Sequence, residues 1–262
     1  MTNLTEVSKS EIVRSVYTTT SSPNLSKKYT HINTSRVISD MEKLGWIVTE
    51  TKEVKTRSEK KKGFQKHIIK FYNPNIIIKD SNGDDACPQI LIINSHDGST
   101  KFQFRVGIYR FICYNGMVIA DSEFENLTIR HMGYSFEELQ NLINVVLEKL
   151  PNVVKKIERF KSCTMTDDQM KEFALKAAVI RFGDKYKIDT NELLTSTRNE
   201  DNGNSVWTVF NRIQEKLTNG GYTTISNGEK PKYRMARGIK SFSKDLKMNE
   251  NLWELADTYT CE

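Results

Sequence analysis

The residues best suited to chemistry in this sequence are its histidines, which could ligate a metal ion or move protons. There are four of them, His31, His67, His96 and His131. A shared metal centre would have to draw its ligands from three separate elements, and His96-Asp97 lacks the further histidine and aspartate ligands of a metal hydrolase. Because Asp97-Gly98 favours a turn, we expect turn-capping or core histidines and no bound metal.

Motifs for other kinds of catalysis do not occur in the sequence. Ser95-His96 does not have the spacing of a nucleophile and its base, and no glycine-rich loop has the phosphate-binding pattern. The paired carboxylates Asp84-Asp85 and Asp167-Asp168 lie in a predicted turn and in the first turn of a predicted helix, where negative charge suits the dipole. The sequence therefore predicts a protein that is not an enzyme, with no catalytic residues and no cofactor.

Basic residues are concentrated in two segments. Positions 52–70 hold eight basic residues against Glu53 and Glu59, a local excess of +6 that equals the net charge of the whole chain. Positions 229–247 hold seven basic residues against Glu229 and Asp245. Such clusters are the electrostatic footprint of a polyanion partner, although a solvated surface accounts for them as well.

Aromatic side chains are interleaved with these basic residues, as in proteins that stack nucleobases on rings and hold phosphates with Lys and Arg. Phe64 lies in the first basic segment, and Phe104 and Tyr109 lie beside Arg105 and Arg110 in a long predicted strand. Strand alternation groups Phe104 with other apolar residues, which favours a core position instead. The candidate nucleic-acid contacts are Lys55, Arg57, Lys60, Lys61, Lys62, Phe64, Lys66, Arg105, Arg110, Arg234, Arg237, Lys240, Lys244 and Lys247.

The most sharply patterned candidate surface is a helix predicted over residues 233–247. At about 100° per residue, Met235, Ile239, Phe242 and Leu246 fall within one apolar stripe, opposite the basic residues. An ordinary soluble helix also has a polar face, but usually with charges of both signs. The pattern predicts a buried stripe and a cationic face that is either solvated or in contact with phosphates.

The surrounding pattern predicts an α+β fold, with an antiparallel β-sheet of hairpins covered by helices and a mainly helical C-terminal part. Runs with strand character occupy residues 46–54, 64–72, 76–79, 89–94, 100–114, 117–120 and 124–130. The dipeptides Asn82-Gly83, Asp97-Gly98 and Asn115-Gly116 between them favour two-residue hairpins. We expect a polar arm over 1–29 that is extended or partly disordered, an α+β core domain over 30–160, and a helical region over 161–262 packed on the core.

Capping residues mark where helices begin and end. Asn33 or Thr34 can cap a helix that ends at Gly45. Capping boxes at Ser135 and Thr166 predict the starts of two later helices, because each hydroxyl can accept from the third helical amide.

Cysteine usage and hydropathy indicate an intracellular protein. The four cysteines, Cys87, Cys113, Cys163 and Cys261, include no close pair. This fits neither a disulfide framework nor a paired zinc site, so a reducing compartment is expected. The sequence has no secretory leader and no apolar run of roughly 18 residues, which predicts a soluble protein of the cytoplasm, that of the host cell if a phage encodes it.

Several short motifs together resemble one protein family. They are Gly63-Phe64-Gln65-Lys66-His67, Asn94-Ser95-His96-Asp97-Gly98-Ser99, Arg110 to Asn115-Gly116, Val206-Trp207-Thr208-Val209-Phe210-Asn211, and Arg234 to Arg237. The family, carried by phages and plasmids, is known only as a domain of unknown function, DUF932, and the resemblance extends from His31 to Trp253. It implies a mobile-element context and no established reaction. The order of helix, hairpins and covering helix is also similar to the core of Rad52-like single-strand annealing proteins.

These observations lead us to expect an accessory protein of a phage or plasmid that binds single-stranded nucleic acid, in the first place DNA, without catalysis. Its process would be recombination and annealing or the support of replication. The alternatives are a protein-binding inhibitor of a host defence system and a virion component. A host or phage protein partner and a homo-oligomer stay open, and no membrane contact is expected.

Overall fold

The computed structural model describes residues 8, 11–25, 29–79, 85–111, 115–118, 134–228 and 230–260. Its helices and antiparallel sheets make an α+β fold, as the sequence predicts. The chain forms two compact units, the first of Met1–Met117 with Ser122–Leu150 and the second of Val118–Asp121 with Pro151–Glu262. Among the described residues, no helix is both long enough and apolar enough to cross a membrane.

The first unit is built on a five-stranded sheet whose strands neighbour one another in chain order. The strands are β1 (Ile47–Glu53), β2 (His67–Tyr72), β3 (Ala86–Asn94), β4 (Gln103–Arg110) and β5 (Asn115–Val118). The pairs β1/β2, β2/β3 and β3/β4 are all antiparallel. Sequential antiparallel pairing is the arrangement that consecutive strands with short connections allow.

The centre of this sheet is buried on both faces. Every residue of β3 is buried, and the same holds for β4 from Val106 to Arg110. The sequence of β4 does not alternate cleanly between apolar and polar residues beyond Gly107, and burial of the strand on both faces explains this. A Cβ atom on Gly107 would lie 2.6 Å from the carbonyl O of Met117, so β5 can approach this closely only because the residue is glycine.

Two helices belong to the described part of the first unit. They are α1 (Thr34–Lys43) and α2 (Phe136–Ser162), the latter through residue 150. The side chain of Asn33 accepts from two amides in the first turn of α1. Ser135 Oγ accepts from the amide N of Glu138 at 3.0 Å, and Leu139 and Val146 are fully buried. The predicted helix starts are confirmed at both sites.

The second unit combines helices with a three-stranded antiparallel sheet of order β6-β7-β8. Its further elements are α3 (Asp167–Phe182), β6 (Tyr186–Ile188), α4 (Thr190–Leu194), α5 (Val206–Asn219), β7 (Gly220–Ser226), β8 (Tyr233–Arg237) and α6 (Phe242–Asp257). The predicted capping box at Thr166 is present, with Gln169 as its second member. Gly220, at φ +79°, ends α5 and begins β7.

Aromatic rings from three helices form the core of the second unit. Trp253 of α6 lies with its ring centroid 5.0 Å from that of Phe160 in α2 and 6.0 Å from that of Phe210 in α5. All three side chains are at most 1% exposed. Contacts of this kind add to the free energy gained by removing large apolar surfaces from water.

The prediction of a helix over residues 233–247 is wrong for the first half of that segment. Residues 233–237 form β8, which pairs with β7, and α6 begins only at Phe242. Leu246 is buried, but Met235 is 65% exposed. Apolar spacing over a short segment does not separate helix from strand, and pairing with β7 decides the outcome here. The expected single apolar stripe therefore does not exist, and the second unit contains a three-stranded sheet besides its helices.

The predicted two-residue turns also differ from the structure. Asp97-Gly98 lies within a longer connection, residues 95–102, in which Gly98 has φ +72°. Asn115-Gly116 starts β5 instead of forming a turn, and the run 76–79 contributes only an isolated bridge between Ile78 and Ala86. Asn82-Gly83 and the run 124–130 lie outside the described residues.

Residues of the expected N-terminal arm pack on the first unit in the part described. Arg14–Tyr17 form a short 3₁₀ helix, and Ser15 and Val16 are fully buried. The amide N of Val13 donates to Thr51 Oγ1 at 3.1 Å on β1. These residues of the expected arm are therefore packed on the first unit.

One cysteine departs from the expectation of reduced thiols. Cys163 is disulfide-bonded, and Cys87 is a free, buried thiol whose pKa burial raises to about 12. The partner of Cys163 lies outside the described residues. Sequence spacing could not indicate this bond, because a disulfide requires proximity in the fold and not along the chain.

Candidate nucleic-acid interface

The most basic surface of the first unit is the connection between β1 and β2, residues 54–66, which we call the basic loop. It holds six basic residues and one acidic residue, Glu59. Lys55, Arg57, Lys60, Lys61 and Lys62 are all exposed. Lys62 forms an ion pair with Glu59, whereas the other four have no salt bridge to any described residue. The hairpin predicted around these cations is confirmed by the antiparallel pairing of β1 with β2.

Backbone hydrogen bonds close the basic loop at its base. The amide N of Val54 donates to the carbonyl O of Lys66 at 2.8 Å, and that of Phe64 donates to Lys61 at 3.1 Å. Gly63 has φ +88°, a conformation that suits glycine, and its carbonyl O accepts from Thr18 Oγ1. The cations are therefore displayed on a loop whose ends are fixed to the unit.

The first unit also holds a group of three histidines, His31, His67 and His96, which we call the histidine cluster. The ring centroids of His31 and His96 are 4.5 Å apart, and those of His67 and His96 are 5.2 Å apart. His67 and His96 are completely buried. The structure thus brings together three histidines that the sequence analysis assigned to separate elements.

Hydrogen bonds determine which ring nitrogen of His67 carries the proton. Its Nδ1 lies 3.0 Å from the carbonyl O of Gln65, and because a carbonyl can only accept, Nδ1 carries the proton. Its Nε2 then accepts from Thr34 Oγ1 at 3.0 Å. Burial is the main cause that lowers the pKa of His67 to about 4, so the ring is neutral near pH 7.

The other two rings donate to backbone carbonyl groups. His96 Nε2 lies 3.0 Å from the carbonyl O of Ser15, and His31 Nε2 lies 3.1 Å from that of Thr18. Both acceptors belong to the N-terminal segment. The histidine cluster therefore fastens that segment to the sheet.

Polar residues around the cluster connect it to the basic loop. Asn94 Nδ2 donates to Thr34 Oγ1 at 2.9 Å, and the amide N of His96 donates to the carbonyl O of Phe64 at 3.0 Å. Tyr29 donates through its hydroxyl to the carbonyl O of Ser95 at 2.7 Å. Hydrogen bonds between buried groups rigidify the segments that they join. The arrangement thereby orders the base of the basic loop.

The histidine cluster is a hydrogen-bonding centre in this structure. Within the described ranges, no three His, Cys, Asp or Glu side chains are placed to hold a metal ion. Sequence reasoning missed the cluster, because local spacing does not give the register of β2 against β3. In the antiparallel pairing of β2 with β3, His67 lies opposite Asn94, which places two of the motifs that resemble the family side by side.

The remaining candidates of the first unit are less exposed than the basic loop. Phe64 and Lys66 are half-buried, and burial lowers the pKa of Lys66. Arg105 on β4 is also half-buried. Arg110 is 1% exposed, so a phosphate cannot reach it in this structure, and it is removed from the candidate contacts.

The candidates of the second unit lie on two elements and their connection. Arg234 and Arg237 are on β8, Lys240 is in the connection, and Lys244 and Lys247 are on α6. All five are exposed, and none has a salt bridge to another residue of the described chain. The structure confirms their exposure but not the single helical face on which the sequence placed them.

Comparison with known proteins gives matches over nearly the whole chain. A family model described as domain of unknown function (DUF932) matches residues 24–253. The chain is 26% identical to UPF0380 protein YfjQ of Escherichia coli (strain K12) over 249 residues, which cover 94% of this chain and 88% of that protein. It is also 26% identical to UPF0380 protein YafZ of the same strain over 248 residues, with the same coverage. No solved structure gives a significant match.

Proposed function

We propose that this protein, which belongs to the DUF932 family, binds single-stranded nucleic acid without catalysing a reaction. Its role is that of an accessory protein of a phage or plasmid, acting in the cytoplasm of the host cell in annealing, recombination or replication. The proposed ligand is single-stranded DNA.

The proposal rests on the exposed cations of the basic loop. Lys55, Arg57, Lys60 and Lys61 are exposed within seven consecutive positions and have no acidic partner among the described residues. Cations this close together repel one another, and a phosphate backbone relieves that repulsion while releasing its own counterions. A mixed-sign surface would offer a polyanion no such gain.

Two further features of the loop support a single strand as the ligand. The fixed base of the loop limits the conformational entropy that binding would otherwise cost. Phe64 places an aromatic ring beside the cations, and the unpaired bases of a single strand are open to stacking on such a ring.

The proposal is tested by fluorescence anisotropy with a labelled oligothymidylate in a salt series. We expect binding that weakens steeply with salt. Replacing Lys55, Lys60 and Lys61 together by Gln should reduce the slope of log affinity against log salt by roughly 0.7 for each phosphate that the protein no longer neutralises. The melting temperature should change little, because the three side chains are exposed.

A matched control removes the same charge elsewhere. Lys101, Lys155 and Lys171 are also exposed and have no ion pair among the described residues. Replacing these three by Gln should leave affinity and slope close to those of the wild type. Undetectable binding at low salt, or an equal decrease of affinity in the two triple variants, would contradict a specific role for the basic loop.

A protein-binding role is the second candidate function, and a different surface favours it. In the second unit, α3, β6 and α6 line an apolar groove of about 720 Å³. Leu175 and Val179 on its wall are 54% and 52% exposed. Exposed apolar surface of this kind is typical of sites for protein partners.

A further inference from the structure

The open face of the second sheet carries two large side chains that the fold does not bury. Tyr233 is 72% exposed and Met235 is 65% exposed, the highest values among the exposed large hydrophobic residues of the described chain. Both lie on β8, an edge strand of the order β6-β7-β8. Neither side chain therefore contributes much burial to the stability of the fold.

Strand register places these two residues within one surface. Tyr233 lies opposite Ile225 of β7, which in turn lies opposite Lys187 of β6, and Met235 lies opposite Thr223. Alternation along each strand puts all five on the same face. We call this surface the sheet platform.

The other face of the sheet is packed. Tyr222 and Thr224 of β7 are 2% and 4% exposed, and Ala236 of β8 is 8% exposed. The ring of Tyr222 contacts that of Phe182 in α3 edge-on, with 6.2 Å between the centroids. The sheet thus has one face in the core of its unit and one face toward solvent, as antiparallel sheets commonly do.

Basic residues lie on and next to the strands that form the sheet platform. The three strands contain Lys187, Arg234 and Arg237 and no acidic residue. Lys232, just before β8, and Lys240, just after it, are also exposed. None of these five has a salt bridge to a described residue.

We propose that the sheet platform is a stacking site for a base of single-stranded nucleic acid, with Tyr233 under the base and Met235 beside it. This rests on the proposed function and adds a second contact site to it. An exposed aromatic ring on an open antiparallel sheet is a recurring way to bind unpaired bases. Lys187, Arg237 and Lys232 hold the phosphates on either side of the stacked base.

The charge of the platform selects this occupant over a second copy of the chain. Edge strands invite pairing with another strand, but basic side chains on and next to β8 would face the same positive charges on the copy. A nucleic acid supplies negative charge that balances these cations and a flat base that can stack on the exposed ring.

The experiment compares two probes that share a backbone, an oligothymidylate of about 20 nucleotides and an abasic strand of the same length. The full-length wild type should bind the thymidylate more tightly. Tyr233→Ala should lower affinity for the thymidylate about tenfold, leave affinity for the abasic strand unchanged, and leave the salt slope unchanged, because it removes stacking and no charge.

Two control variants refine the result. Tyr233→Phe keeps the ring and should bind both probes as the wild type does. Leu175→Ala removes an exposed apolar side chain from α3 of the same unit and should also leave both affinities unchanged. Comparing the affinity for an oligouridylate of equal length with that for the thymidylate shows whether the protein prefers RNA or DNA.

The possible failures are distinguishable. If the wild type binds neither probe at low salt, the proposed function and the platform fall together. If it binds through the basic loop but Tyr233→Ala binds the thymidylate normally, or loses affinity equally for both probes, only the platform is overturned. Self-association that Tyr233→Ala abolishes, with normal thymidylate binding, would overturn it in favour of a contact between copies.

Discussion

Burial makes His67 a pH-dependent contributor to the stability of the first unit. Desolvation is the main cause that lowers its pKa from 6.5 to about 4, while the Gln65 carbonyl and the carboxylates of Glu53 and Asp97 act in the opposite direction. Between these two pH values the unfolded chain takes up a proton here that the folded chain excludes. The free energy of unfolding should therefore be highest above pH 6.5 and fall by up to about 3 kcal/mol as the pH drops toward 4.

Urea unfolding from about pH 7.5 to about pH 4.5 measures this dependence. His67→Gln is the control, because an amide retains hydrogen-bonding groups and does not titrate. The variant should be less stable than the wild type near neutral pH, and the difference should shrink as the pH falls. Since the two proteins share every other titratable group, a constant difference at every pH would assign the pH dependence to groups other than His67.

The sequence could predict part of the behaviour of single residues. His67 and His96 are core residues, one of the two roles expected of them, and Gly98 has the positive φ that its turn motif indicates. Their convergence with His31 could not be predicted, because it depends on the register of β2 against β3 and on the packing of the N-terminal segment. Neither is encoded in local spacing.

At the scale of elements, the first residue of α6 is less buried than the aromatic residue near its end. Trp253 is fully buried between Phe160 and Phe210, whereas Phe242, the first residue of the helix, is half-buried. Trp253→Ala should cost about 3–5 kcal/mol of unfolding free energy, because it leaves a cavity among rings. Phe242→Ala should cost less, about 2 kcal/mol or below, since part of the side chain is already in contact with water. Urea unfolding of both variants checks this order, and an equal or larger cost at Phe242 would contradict it.

Local signals predicted the elements that local interactions fix. The start of α1 at Asn33, the capping box at Thr166 and the start of α2 at Ser135 follow from side chains that bond amides three residues away or fewer. β8 was predicted as helix because its stability comes from pairing with β7, a distant segment of the chain. The apolar spacing of such a short strand does not distinguish it from a helix.

At the scale of the whole molecule, the α+β class followed from strand runs with helical segments after them, and this prediction is confirmed. The division into two units was harder to predict. It falls after Leu150, inside α2, where the helix continues through Pro151. The two basic segments of the sequence accordingly belong to different units. Each can therefore be altered without disturbing the core of the other.

This separation leads to a prediction about additivity. Lys240 and Lys244 are exposed and have no salt bridge within the described residues, so replacing both by Glu should barely alter the melting temperature. If they contact phosphates, the double variant should bind single-stranded DNA more weakly, and its salt slope should be smaller by roughly 0.7 for each phosphate concerned. Combined with the Lys55, Lys60 and Lys61 variant, the decreases in log affinity should add, because the sites lie on separate units. A folded combined variant that binds no more weakly than the loop variant alone would show that Lys240 and Lys244 face only solvent.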